Sequence, residues 1–426
     1  MAGVEVLRLL VVLFVVLSAA SPGAAWVAEG EEVISKGTAV VDGSAAIATT
    51  DNEFICATLD WWPPEKCDYG SCSWGQASVL NLVIISVITN FLALLRIIFV
   101  LMKIMLHGDF VAGSNEPHSS FSPLRLRVGG SLDDKVIYES GGNARRPCVP
   151  FVKNDSALFE FNDGCLPLKR WDHLNSFFKK TGAQVIFGLN ALNGRVPMQD
   201  GSVGGPWNHK NAESLIRYTA MKGYNIFGWE LGNELSGKGI RVRVDVAQYA
   251  ADLISLKKVV DEIHNGDKVK PLLIAPGGNF ETEWYSEFID MTKASSSLDV
   301  ITHHMYILGP GVDDHLVKKI LNPSFLDRNV STFSNLREVI RKSGAAATAW
   351  VGEAGGAYNS GRHLRAAESD CLSFAYRSLA ARITSMEFCC VVALHCCASW
   401  GDMATLPLLS CCSSIFLLRF LLAEKP

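Results

Sequence analysis

Two glutamates stand out because each ends an apolar run and is followed by residues that turn the chain. In Gly228-Trp229-Glu230-Leu231-Gly232-Asn233-Glu234-Leu235-Ser236-Gly237, Glu234 lies just past a predicted strand. In Trp350-Val351-Gly352-Glu353-Ala354-Gly355-Gly356-Ala357-Tyr358-Asn359-Ser360-Gly361, Glu353 ends another strand and a glycine-rich loop follows. Paired carboxylates suit glycosidic cleavage, in which one protonates the departing oxygen and the other attacks the anomeric carbon. Either glutamate alone reads more readily as a capping or ion-paired surface carboxylate. On the fourth and seventh strands of a barrel, however, the two would face each other across its opening. A separation of about 5–5.5 Å would impose a retaining double displacement, with Glu234 as proton donor and Glu353 as nucleophile. Glu234 would then turn general base and activate water.

Neighbouring residues fill out such a site. Asn233 should face the sugar, where a hydrogen bond to the 2-hydroxyl strengthens as positive charge develops on the ring. Glu230, a mid-strand residue and the rival to Glu234 as the acid, reads rather as pointing into the barrel to pair with a polar neighbour. His303 and His304 end another strand ahead of Tyr306. Either histidine could hold the nucleophile's carboxylate or line the sugar site, or be a hydrogen-bonded barrel histidine. Asp60, at the end of the first strand, could hold a sugar hydroxyl. Gly130 and Ser131, after the second, could offer backbone N–H groups to substrate or only make a tight turn.

These side chains need strands to carry them. Short apolar runs predict strands at Phe54–Leu59, Leu124–Val128, Gln184–Leu189, Asn225–Leu231, Pro271–Ala275, Asp299–His304 and Ala349–Glu353. Apolar positions at helical spacing predict helices over Val244–His264 and roughly over Lys169–Lys180, Asn211–Met221 and Thr332–Lys342. Alternating strands and helices over this length favour an α/β fold, a (β/α)₈ TIM barrel. It reads as incomplete, since no eighth strand is evident. Two stretches break the rhythm. Leu80–Leu106 is almost continuously apolar and long enough to span a bilayer, although Arg96 near its middle is costly there. The tail 364–426, with Cys389-Cys390, Cys396-Cys397 and Cys411-Cys412, matches neither strand nor helix periodicity.

Composition narrows the partners. A net charge of −4 with 19% charged residues gives no basic stripe for phosphate, so nucleic acid is not expected as a partner. Residues 1–25 have the layout of a secretory signal peptide, which predicts a secreted, extracellular or cell-wall protein, with a vacuolar, lysosomal or membrane-associated location as the other reading. Asn154 and Asn329 begin glycosylation triplets. Among the 12 cysteines, Cys148 and Cys165 bracket a short loop and are the preferred disulfide, with Cys67–Cys72 second. With no CxxC pair or HExxH, neither metal nor cofactor is expected.

The two glutamate motifs, together with Arg127-Val128-Gly129-Gly130-Ser131, Thr302-His303-His304, Ala57-Thr58-Leu59-Asp60-Trp61-Trp62-Pro63 and Phe187–Arg195, resemble the plant heparanase-like proteins of glycoside hydrolase family 79. The resemblance covers roughly residues 50–82 and 121–363. It implies a barrel flanked by a small β-domain, acid/base catalysis by Glu234, attack by Glu353, and removal of β-linked glucuronic acid from glycans or glycosides. It also implies that Tyr358, Asn359 and Ser360 belong to the loop that contacts the uronic carboxylate. Residues 83–119 and 364–426 depart from the family, as a retained intron or misplaced exon boundary would make them. A truncated, inactive, membrane-associated glycan binder is the alternative.

Overall fold

Among the described residues, eight parallel strands close into a barrel, and along β-strands successive side chains face alternately the helices and the barrel interior. The strands are β1 (Ile55–Asp60), β2 (Arg125–Gly129), β3 (Gln184–Leu189), β4 (Gly228–Leu231), β5 (Leu272–Asn279), β6 (Val300–Tyr306), β7 (Thr348–Gly355) and β8 (Cys390–Ala393). Hydrogen bonding runs β1-β8-β7-β6-β5-β4-β3-β2 and closes on itself. The computed structural model describes residues 55–81 except 71, 73 and 75–77, residues 124–359 except 145, 238, 239, 241 and 321, and residues 390–393. All of these fall in one of two units of the chain, Val41–Pro426. The expectations for the signal peptide, for 83–119 and for the rest of the tail lie outside the described residues. Among the described residues, no helix is long and apolar enough to cross a membrane.

The position for which the sequence offers no strand is taken by β8, inside the tail read as foreign to the barrel. It pairs with β1 from Ile55↔Cys390 to Thr58↔Ala393 and meets β7 at Ala354↔Val392. Four residues in an apolar, cysteine-rich stretch leave too little alternation for a strand to be read from periodicity.

Among the described residues, six helices wrap the barrel: α1 (Leu168–Thr181), α2 (Lys210–Met221), α3 (Val246–Ile263), α4 (Thr282–Lys293), α5 (Leu316–Ile320) and α6 (Pro323–Ser343). Asp245 sets the start of α3, since its Oδ1 accepts the N–H groups of Ala247 and Gln248 at 3.0 and 3.2 Å. The helix therefore begins two residues after the expected Val244 start. Helix α4 is absent from the helices that periodicity predicts, although Trp284, Tyr285, Phe288 and Ile289 mark its buried face.

The core lies in two layers. Outward strand residues Leu126, Val128, Phe187, Trp229, Leu231 and Leu273 pack against helix residues such as Trp171, Phe178 and Leu253. Phe187 is the hub, with its ring 4.7 Å from Trp171 and 5.9 Å from Trp229. Inside the barrel, Cys56, Ile186, Ile274, Val300 and Trp350 make an apolar floor. Arg125 lies between Phe227 and Trp350, with its guanidinium 5.0 and 4.6 Å from the ring centroids, so cation–π attraction offsets part of its burial. The polar site sits above this floor, at the strands' C-terminal ends.

Candidate active site

Parity along β6 decides which of its side chains reach the interior. Thr302, His304 and Tyr306 point inward, and the register shifts on either side of His303. His303 turns the other way and packs edge-on against Phe333 of α6, centroid to centroid 5.7 Å. Burial, and then the neighbouring His304, lower its pKa to about 4. The sequence left both histidines open as site residues; the structure brings only His304 to the site, because successive strand residues face opposite sides.

Glu234 is positioned by the turn after β4. Gly232 and Glu234 both adopt left-handed backbone, at φ 68° and 56°, and the Glu234 N–H donates to the Gly277 carbonyl at 2.6 Å. A left-handed non-glycine residue costs about 1–3 kcal/mol and persists only where its surroundings hold it. Here Gly277 and Gly278 of β5 make room, since a Cβ on Gly278 would lie 3.2 Å from the Glu234 Cα. The turned carboxylate meets Nδ1 of His304 at 2.8 Å through Oε1.

Across the opening, β7 carries Glu353. Its Oε1 accepts from Nη1 of Arg127 at 2.7 Å and its Oε2 from the Tyr306 hydroxyl at 2.8 Å, while His304 Nδ1 lies 3.7 Å away. Burial pushes the Glu353 pKa up, but the charges of His304 and Arg127 outweigh it, with the Tyr306 hydroxyl adding to the effect, and the net shift is downward. His304 moves the other way: burial opposes its charged form, and the two carboxylates raise its pKa overall. One carboxylate oxygen of Glu234, one of Glu353 and a ring nitrogen of His304 all lie within 4.8 Å of one another. A divalent cation could bridge such a set, yet the His304 ring already stands between the two carboxylates.

Beneath the pair, Arg127 is the hub. Only 1% exposed, it donates from Nε to Glu230 at 2.5 Å, from Nη1 to Thr58 at 3.3 Å and from Nη2 to Oδ1 of Asn233 at 2.9 Å. Glu230 is fully buried and also accepts from the Thr302 hydroxyl at 3.2 Å, as its inward reading required. Because Arg127 engages the Asn233 oxygen, the amide NH₂ is the group Asn233 can offer a substrate.

Comparison with known proteins identifies the family. Residues 36–378 match the model for Glycosyl hydrolase family 79, N-terminal domain. The chain belongs to glycoside hydrolase family 79. Heparanase-like protein 3 of Arabidopsis thaliana is 50% identical over 332 residues, covering 78% of this chain and 57% of that protein. Baicalin-beta-D-glucuronidase of Scutellaria baicalensis is 39% identical over 331 residues, covering 74% and 57%. This family 79 chain thus spans a little over half the length of either relative. Among solved structures, a Paenibacillus polymyxa xyloglucanase from glycoside hydrolase family 44 matches at 13% identity and TM-score 0.43, covering 63% of this chain and 69% of that one.

The remaining predicted residues of the family 79 chain fall around the rim. Asp60 ends β1, and its Oδ2 accepts from Nε1 of Trp62 at 3.0 Å. Burial first, and then the charge of Glu353, push its pKa up to about 7. Gly130, at φ 84°, packs directly on it; a Cβ there would lie 2.4 Å from the Asp60 Cγ. Space for Asp60 is therefore one reason for a glycine at 130, beyond the backbone donors first considered. Ser131 opens the short 3₁₀ turn Ser131–Lys135 on the same rim. Tyr358 is 43% exposed, with its ring 6.4 Å from that of Tyr306. Asn359 donates from Nδ2 to Asp68 at 3.4 Å, and Ser360 lies outside the described residues.

Away from the site, Cys148–Cys165 and Cys67–Cys72 are disulfides. Asn154 sits in a surface turn, where its Oδ1 accepts from the Ser156 N–H. Asn329 corrects the sequence reading: it lies inside α6 and is 1% exposed, which leaves no room for a glycan on its side chain. Sequence reasoning also missed Arg127, Asp133 and Asp134 as individual residues. Charged residues at inward positions of β2 and in the turn after it are the signal that could have found them.

Proposed function

We propose that this chain is a retaining glycoside hydrolase that removes β-linked glucuronic acid from glycans or glycosides, with Glu353 as nucleophile and Glu234 as acid/base. The observation that carries this reading is the approach of one Glu234 oxygen to one Glu353 oxygen within 4.8 Å, the spacing of direct attack, where an inverting enzyme needs roughly 6.5–9.5 Å for a water. Arg127 and Tyr306 fix both oxygens of Glu353 and hold it ionised beneath the anomeric carbon. The 2.8 Å contact with His304 holds the Glu234 carboxyl where it can protonate the leaving oxygen. Once Glu353 is glycosylated its charge is gone, and Glu234 can take a proton from the incoming water. Asn233 offers its NH₂ to the 2-hydroxyl, and Asp60 holds another ring hydroxyl.

The choice of glucuronic acid leans on the name of the Scutellaria relative and on the Tyr358–Asn359 loop beside Tyr306. An extracellular or cell-wall location belongs to the same proposal, since two disulfides suit an oxidising compartment. An inactive binder would fit a barrel with an unclosed edge, and β8 pairs that edge. A mechanism-based aryl-glucuronide probe tests the assignment. It should label the parent chain covalently and leave Glu353→Gln unlabelled; labelling of the variant at the parent's rate would remove Glu353 from the nucleophile's role.

A further inference from the structure

The turn after β2 buries two carboxyl groups that the reaction above does not use. Asp133 is 0% exposed, and no N–H or O–H of the described residues donates to either of its oxygens. Its carboxyl packs over β3 so closely that a Cβ on Gly188 would lie 2.1 Å from its Oδ2. Asp134, next in the chain, is served quite differently. Its Oδ1 accepts the Ala191 N–H at 2.8 Å and its Oδ2 the Asn233 N–H at 2.9 Å. The two residues are consecutive in the chain and both carboxyls are buried. Two ionised carboxylates side by side in a buried site repel, and one proton on the pair removes that repulsion. The oxygens that receive N–H donors suit the ionised form, and those that receive none suit the acid.

We propose that Asp133 and Asp134 hold one proton between them, Asp133 as the neutral acid donating to the Asp134 carboxylate, and that this pair positions the Asn233–Glu234 turn from below. The positioning part rests on the acid/base reading of Glu234; the shared proton does not. Several groups surround the pair. Arg127 and Arg195 favour ionisation, whereas Glu230, Asp60 and burial oppose it. Burial and the neighbouring Asp134 charge accordingly lift Asp133 well above the ordinary carboxylate range, which agrees with the geometry. Asp134 is then a positioning residue. It grips the Asn233 backbone while Arg127 grips the Asn233 side chain, so the residue before the acid is held from two sides.

Three variants of the full chain test this. Asp133→Asn keeps a donor to Asp134 and should turn over within about two-fold of the parent, counted per site titrated by the glucuronide probe. Asp133→Leu keeps no donor, and Asp134→Asn removes the carboxylate; each should lose at least ten-fold per titrated site. Their losses should be greatest for substrates with poor leaving groups, which need Glu234 most. Counting per site separates positioning from mere loss of fold. Independently of any activity, the infrared difference spectrum of parent minus Asp133→Asn at neutral pH should contain the C=O stretch of a protonated carboxylic acid. Absence of that band refutes the shared proton, even if the parent proves not to be labelled and the enzymatic reading fails. Equal turnover per site in Asp133→Leu and Asp133→Asn refutes the positioning role, and does so even if Asp134→Asn does not fold.

Discussion

Glu234 and His304 share a contact that only one protonation pattern makes productive. In Glu234→Ala the leaving group must depart without help. Turnover of aryl glucuronides with acidic phenols should fall by about ten-fold or less, and that of alkyl glucuronides by about 10²–10⁴-fold, the usual contribution of general acid catalysis. Initial rates across a leaving-group series measure the slope, and a flat series would contradict the acid role. His303, on the other face of β6, carries a stability prediction. Its folded pKa of about 4 lies below the ordinary 6.5. Below pH 6.5 the unfolded chain takes a proton that the folded chain refuses, so stability is lost as pH falls from 6.5 toward 4, by roughly 3 kcal/mol in all. His303→Leu removes this penalty. Between pH 7 and pH 5 its stability should gain about 2 kcal/mol relative to the parent, read from denaturant unfolding at both pH values.

At the scale of elements, the rims of β2, β4 and β5 carry the glycines that let charged side chains pack side by side. Gly130→Ala puts a left-handed alanine beside Asp60. Strain alone should cost roughly 1–3 kcal/mol, and because the new Cβ displaces the Asp60 carboxyl, KM for aryl glucuronides should rise more than kcat falls. Thermal unfolding and steady-state kinetics measure the two effects. This crowding also explains how far the sequence could be read. Gln184–Leu189 matches β3 residue for residue and the other predicted strands overlap theirs, because buried parallel strands announce themselves as apolar runs. Glu234, Glu353, His304 and Tyr306 were legible because they stand at the ends of such runs. The choice between His303 and His304 was not, since the register shifts of β6 follow from how β5 and β7 pair with it. Nor was Arg127, whose partners Thr58, Glu230, Asn233 and Glu353 come from three other strands and the turn after β4.

For the whole molecule, closure depends on four residues near the far end of the chain. A chain ending at residue 389 leaves the edges of β1 and β7 without their partner, and unpaired edges recruit other chains. It should elute as aggregate in size-exclusion chromatography and titrate few sites, whereas a chain ending at residue 396 should stay monodisperse and titratable. If both behave alike, β8 is not what completes the barrel.

The same seam sets a clock. Ile55 and Cys390 are register partners, so 390 − 55 = 335 residues separate the first strand from the one that covers its outer edge. At a synthesis rate of about 5–20 residues per second, β1 emerges roughly 20–70 s before β8 does. Throughout that interval the nascent chain can hold at most an open sheet, its polar centre accessible from the side. Glu234, Glu353 and Arg127 are all translated before the wall that shuts them in, so the closed site can form only after the barrel's eighth strand has been delivered.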